Sequence, residues 1–403
     1  MRMNTHYDAL ETRSTDARTA AQLQALQANI ARVSATPGAC RIEDGSIQDL
    51  ADLRNLPVLR KSDLAAWQAE NPPFGGIPVR NAAHVFQSPG PIYEPGGVTH
   101  DWWRMGRFLH AVGIGADDVV QNCFGYHLTP AGMIFESGAR AVGATVLPAG
   151  TGQTELQVQA AKAVGSTAYA GTPDYLKVLL DKSDALNVAL SFTKAAVGGG
   201  ALFPAMRQAY ADRGITCLQC YATADLGNIA YESLAMEGMI VDEGVIVEIV
   251  TPGSGEPVAP GEVGEVVVTT LNPDYPLIRF ATGDLSAALP GQSPCGRTNM
   301  RIKGWMGRAD QTTKIKGMFV RPEQVANLVA RHDEIVKARV IARRDGMQDA
   351  MTVQLETTGG AAEDYAASVA ATLKLKGIIE VVSPGSLPKD GLVIEDQRDY
   401  ETT

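Results

Sequence analysis

Five short apolar runs, at 118–123, 144–147, 166–170, 194–197 and 215–220, alternate with stretches of helical apolar spacing such as 154–164. Strands that alternate with helices pair in parallel, so this half of the chain is constrained to a layered α/β body. Helical spacing also covers 17–34 and 101–112, with Trp102-Trp103 opening the second of these as a packing pair. From Gly244 the pattern changes, and 245–250 and 264–270 read as strands joined by Gly/Pro-rich turns. That pattern predicts an antiparallel β subdomain over about 240–300. Residues 290–296 read as a loop. A smaller α+β unit follows, with strands at 312–316, 337–341, 351–356 and 378–382 and helices at 322–332 and 363–373. The expected division is 1–308 and 309–403, since 403 residues exceed one ordinary core.

A formal charge of −10 excludes a nucleic-acid surface, which needs clustered Lys and Arg. No apolar run reaches the roughly 18 residues of a membrane span, and the polar start MRMNTHYDALETRSTDAR has no signal core. The expected location is cytoplasmic. Five cysteines, at 40, 123, 217, 220 and 295, fit reduced thiols. Cys217-Leu-Gln-Cys220 lies in a buried-strand pattern and reads as structural thiols rather than a redox or metal pair.

Chemistry concentrates in Tyr275-Pro-Leu-Ile-Arg-Phe-Ala-Thr-Gly-Asp284 and Gly307-Arg-Ala-Asp310. A carboxylate after a Thr-Gly turn can accept two hydrogen bonds from a diol such as ribose. Fixed carboxylates and guanidinia are the expected handles for ribose and phosphate. An ordinary Asx turn is the competing reading of Thr-Gly-Asp.

Four stretches, taken in order, carry a family resemblance. They are Gly198-Gly-Gly-Ala201, Tyr221-Ala-Thr-Ala-Asp225, Pro276–Asp284, and Ser293-Pro-Cys-Gly-Arg-Thr298 followed by Gly307–Asp310. Together they resemble the phenylacetate–CoA ligase branch of the adenylate-forming (acyl-CoA synthetase, luciferase-like) superfamily. The resemblance runs from about residue 45 to the end. It implies an α/β fold with a large multi-subdomain N-terminal AMP-binding domain and a small mobile α+β C-terminal lid. It also implies that a carboxylic acid reacts with ATP and Mg²⁺ to give an acyl-adenylate, which CoA then attacks.

The resemblance assigns roles as follows. Gly198, Gly199, Gly200 and Ala201 form the turn beside adenine, although a plain strand-to-helix turn remains the alternative. Cys220, Tyr221 and Ala222 line the nucleotide, with Tyr221 stacked on the base. Thr223 touches phosphate, and Asp225 helps to hold Mg²⁺. Asp284 grips the ribose hydroxyls, Arg308 adds charge nearby, and Asp310 is the hinge. Phe124, Tyr126 and His127 are candidates for an aryl acid pocket, since aromatic walls suit a flat substrate. Core packing for Phe124 and an ordinary loop histidine at His127 are equally open. A homodimer is implied by analogy with the branch.

Three departures from the family pattern bear on activity. The phosphate loop is replaced by Gln87-Ser-Pro-Gly-Pro-Ile-Tyr-Glu-Pro95, whose prolines Pro89, Pro91 and Pro95 lack N–H donors and whose Glu94 would repel a triphosphate. Leu392 occupies the place of the C-terminal catalytic lysine, leaving Lys389 as the candidate replacement, with Lys314 and Lys316 further options. Ser233, Ile240 and Ser293 stand where some members of the branch have zinc ligands. With Cys295 alone no zinc site is expected. The leading reading is an AMP-forming ligase joining an aromatic or arylalkanoic acid to CoA. An adenylating enzyme with another acceptor, and a non-catalytic nucleotide- or acyl-CoA-binding paralogue, remain as alternatives.

Overall fold

The computed structural model describes residues 6–35, 47–88, 91–309, 311–316, 318–345 and 348–398. Cys40, Pro89 and the expected hinge Asp310 lie outside the described residues. The chain forms two compact units. One comprises Met1–Val247, Val268–Phe280 and Leu289–Trp305, and the other Glu248–Val267, Ala281–Ala288 and Met306–Thr403.

In the first unit the apolar runs form the expected parallel strands: Val119–Asn122, Thr145–Pro148, Ala168–Gly171, Lys194–Val197 and Thr216–Thr223. The intervening helices are Ala131–Ala141, Thr154–Val164, Pro173–Ala185 and Pro204–Asp212. Pro173 and Pro204 each sit in a helical first turn, where a missing N–H costs nothing. Strand Val119–Asn122 has Thr145–Pro148 on one side and Ala168–Gly171 on the other. The strand order therefore reverses there, and open α/β sheets bind ligands beyond the carboxyl ends of strands at such a point. Buried Tyr169, Leu176, Leu179, Val197 and Cys217 pack the helices onto the sheet. At the far side Thr216–Thr223 turns back through an antiparallel pairing with Gly227–Tyr231, with a register shift between Tyr221 and Ala222.

Two expectations are corrected. Trp102-Trp103 does not open a helix. Asp101 and Arg104 adopt left-handed backbone (φ 47° and 62°), and the helix begins at Gly106, whose N–H donates to the Asp101 carboxylate. Both indoles are buried, edge to face with centroids 5.0 Å apart, against the backbone of Gly96 and Gly97. A Cβ at Gly97 would lie 2.3 Å from Trp102, so glycine is required by close approach. The second correction concerns 87–95, which is not a loop. Ala82–Ser88 and Ile92–Gly97 form an antiparallel hairpin with Phe86 opposite Glu94 and Ser88 opposite Ile92.

In the second unit a four-stranded sheet runs in the order Ile378–Val382, Gln348–Thr357, Ile335–Asp345, Ile394–Asp396. Helices Pro322–Val329 and Ala362–Leu373 cover it, and Leu328, Val340, Val353, Leu355, Tyr365 and Leu373 fill the core. The long central strands, Ile335–Asp345 and Gln348–Thr357, extend beyond the predicted 337–341 and 351–356, because the run Arg343-Arg344-Asp345 carries no apolar pattern. Among the described residues no helix is long and apolar enough to cross a membrane.

Candidate active site

At the carboxyl ends of the first unit's parallel strands lie three of the predicted stretches. The glycine turn 198–201 leaves strand Lys194–Val197, and the Gly198 N–H donates to Gly171 O at 3.2 Å. A Cβ at Gly198 would stand 2.9 Å from Cys220 Sγ. Gly199 (φ 68°) faces Phe124, which a Cβ there would approach to 3.7 Å. Gly200, Ala201 and Gly199 are exposed, so the turn presents backbone outward.

Beside it, strand Thr216–Thr223 carries Cys220, Tyr221, Ala222 and Thr223. Cys220 is buried, and burial pushes its thiol far up. Tyr221 is buried, whereas Ala222 and Thr223 are half-buried. Thr223 Oγ1 accepts from Leu226 N–H at 3.2 Å, closing the turn that delivers Asp225. Asp225 is 5% exposed. Its Oδ2 meets Lys61 Nζ at 3.1 Å, and its Oδ1 is buried without a partner.

Lys61 begins the helix Lys61–Glu70, and sequence reasoning missed it. Its pairing with Asp225 spans 164 residues, which no local pattern signals. Glu94 is the second residue placed unexpectedly. It is 1% exposed on the inward face of the hairpin, and its Oε1 accepts a hydrogen bond from the Ser88 hydroxyl. Burial first, and then the charge of Asp225, push its carboxyl up to about 7. The fully buried Tyr275 feels both acids; burial and then their charges hold its phenol well above 10.

The acid-pocket candidates separate. Phe124 is buried and stacks on Phe135 with centroids 4.2 Å apart, a core contact. Tyr126 is half-buried, and its hydroxyl accepts from Asn122 Nδ2 at 2.8 Å. His127 is exposed, and its neighbour Leu128 accepts the Gln87 N–H at 2.9 Å, which ties the hairpin to this loop.

In the second unit Asp284 Oδ1 meets Arg308 Nη1 at 2.8 Å. Backbone bonds hold the two segments side by side: Leu285 N–H to Gly307 O, Met306 N–H to Leu285 O, and Ala309 N–H to Gly283 O. Gly283 has φ 72°, and a Cβ there would lie 2.7 Å from Arg308 Nη2. Lys389 is exposed and pairs with Glu262 at 2.6 Å. Leu392 is half-buried, and its N–H donates to Asp390.

In the first unit Cys295 Sγ lies 3.0 Å from Ser293 Oγ and 3.5 Å from Arg297 Nη1. Burial raises the thiol, but hydrogen bonds from Ser233, Ser293 and Arg297 outweigh it and bring it down to about 7.

No family model matches the chain. Among curated proteins it is 30% identical to phenylacetate-coenzyme A ligase of Escherichia coli (strain K12) over 385 residues, 88% of this chain and 85% of that one. It is also 30% identical to the phenylacetate-coenzyme A ligase of Aromatoleum evansii over 334 residues, 78% of this chain and 74% of that one. Among solved structures an open conformation of 2-hydroxyisobutyryl-CoA ligase, in complex with 2-HIB-AMP and CoA, superposes with a TM-score of 0.72 at 22% identity, covering 96% of this chain and 93% of that one. That likeness fixes the fold as the α/β fold of adenylate-forming CoA ligases. With 30% of the aligned residues identical across most of two phenylacetate-coenzyme A ligases, and with the glycine turn and the Tyr221–Asp225 motif at the strand ends, the chain belongs to the phenylacetate–coenzyme A ligase family.

Proposed function

We propose that the protein is an AMP-forming acid–CoA ligase. In this reading a carboxylate oxygen attacks the α-phosphorus of ATP, the bond to the β-phosphate breaks, and pyrophosphate leaves with the electron pair. The sulfur of CoA, as thiolate, then attacks the acyl carbon, and AMP departs as the C–O bond breaks. The observation that supports this most is the cluster of Gly198, Tyr221, Thr223 and Asp225 at the carboxyl ends of the parallel strands. A divalent cation such as Mg²⁺ supplies charge stabilisation at the phosphates, and the buried Asp225, with one oxygen unpartnered, fits it as a hard ligand.

The roles implied for the individual side chains complete the reading. Tyr221 lies against adenine beside the outward-facing turn 199–201, and Cys220 and Ala222 shape that floor. Thr223 hydrogen-bonds phosphate. Asp284 holds the ribose hydroxyls, and Arg308, paired with it, adds positive charge. Lys389 replaces the cation lost at Leu392, and residues 309–403, with Asp310 as pivot, act as the mobile lid. The acid is aromatic or arylalkanoic. Tyr126 and His127 are its contacts, with Phe124 stacked behind them on Phe135. A cytoplasmic homodimer belongs to the same reading.

The buried Glu94 favours a second reading, a paralogue that binds nucleotide or acyl-CoA with weakened adenylation. One assay separates the readings. The protein is mixed with ATP, Mg²⁺, CoA and a panel of aryl acids, and AMP, pyrophosphate and thioester are followed. AMP with thioester supports the ligase. AMP without thioester points to another acceptor, and nucleotide binding without turnover to the paralogue.

A further inference from the structure

Two carboxylates in the first unit are buried and incompletely satisfied. Glu94 is 1% exposed and Asp225 is 5% exposed, yet Glu94 Oε2 and Asp225 Oδ1 have no hydrogen-bond partner. The other oxygen of each is used: Glu94 Oε1 by the Ser88 hydroxyl and Asp225 Oδ2 by Lys61. The phenol oxygen of Tyr275, buried among the same groups, is also unpartnered. An unsatisfied buried oxygen costs about 1–3 kcal/mol, and native proteins leave few of them without an ion or water to account for them. Charge points the same way. Two buried carboxyl groups stand there against the single Lys61 ammonium, and burying negative charge without a matching cation is costly.

We propose that Glu94 and Asp225 together bind a divalent cation in the nucleotide-free protein, through Glu94 Oε2 and Asp225 Oδ1. The hairpin strand Ile92–Gly97 carries Glu94 inward, and the turn after Thr216–Thr223 carries Asp225, so each ligand comes from a braced element. Among the described residues there is no group of three or more His, Cys, Asp or Glu able to hold a metal. Two carboxylates with water in the remaining positions suit Mg²⁺ or Mn²⁺, which keep several waters, and do not suit zinc. The bound cation gives back to the hairpin the positive charge that a loop lacking lysine cannot offer a phosphate. Its purpose rests on the ligase reading, but its binding does not.

The test uses the full-length protein with Mn²⁺ alone, without nucleotide, acid or CoA, and reads free Mn²⁺ by electron paramagnetic resonance. One Mn²⁺ per chain is expected, displaced by excess Mg²⁺ and weakened roughly tenfold or more by both Glu94→Gln and Asp225→Asn. Cooperative melting verifies that each variant is folded, and Glu94→Met stands in if Glu94→Gln is not. No bound Mn²⁺ in the wild type, or a folded Glu94 variant that binds within tenfold of it, overturns the proposal. Retained AMP and thioester formation in a protein that binds no Mn²⁺ alone would sink this site and leave the ligase reading intact.

Discussion

Lys61 Nζ stands 3.1 Å from Asp225 Oδ2, so the start of a peripheral helix is fastened to the acidic turn at the strand ends. The lysine is 40% exposed, but the carboxylate it serves is almost fully buried. Lys61→Met leaves Asp225 with neither oxygen paired. Loss of about 1–3 kcal/mol of unfolding free energy is expected, read as a lower urea midpoint. Lys61→Arg should recover most of it.

Lys389 sits exposed against Glu262, and Leu392 is three residues on. If Lys389 supplies the cation for acid activation, Lys389→Ala should slow AMP formation by on the order of 10²-fold, with no change in melting temperature. Adding Leu392→Lys should restore the rate. Quench-flow measurement of AMP decides it, and an unchanged rate in Lys389→Ala removes Lys389 from the chemistry.

Gly283 combines a left-handed backbone with the close approach of Arg308. Gly283→Ala should cost about 1–2 kcal/mol of stability from strain. It should also weaken AMP binding severalfold, because the guanidinium is pushed off Asp284. Calorimetric titration with AMP checks the second effect and thermal melting the first.

Cys295 is the thiol brought down to about 7, while burial pushes Cys123 and Cys217 up to about 12. The thiolate is the reactive form, so its iodoacetamide reaction should rise through about pH 7 and level off above it. Ser293→Ala removes a hydrogen bond to the thiolate and should move that midpoint upward. The measurement is made in a Cys40→Ser background by peptide mass spectrometry.

The parallel sheet was legible because its strands are short apolar runs, as at Lys194–Val197, and outside it Val245–Val250 and Ile378–Val382 also match the predicted ranges. Helix Thr154–Val164 matches as well, its Gly165 C-cap giving a sharp end. The hairpin strands Ala82–Ser88 and Ile92–Gly97 were hidden by Pro91, just before the second strand, and by Pro95 within it. Trp102-Trp103 misled because two large apolar residues beside a helical pattern look like part of it; the left-handed residues on either side were invisible to periodicity. At the site, the motifs named Tyr221, Thr223 and Asp225, which lie within one strand and its turn. The role of Lys61 depends on a contact across 164 residues of chain, and the burial of Glu94 on the folded hairpin, and only folding reveals them.

The hairpin has one more consequence. Its strands are already laddered together, and Gln87 is already bonded to the backbone of Leu128. A flexible phosphate loop must surrender conformational freedom each time a ligand arrives, at about 1–2 kcal/mol per residue fixed. Here that freedom is given up during folding, so capture of a nucleotide beside the hairpin should carry little entropic penalty from chain ordering, and its temperature dependence should be correspondingly shallow.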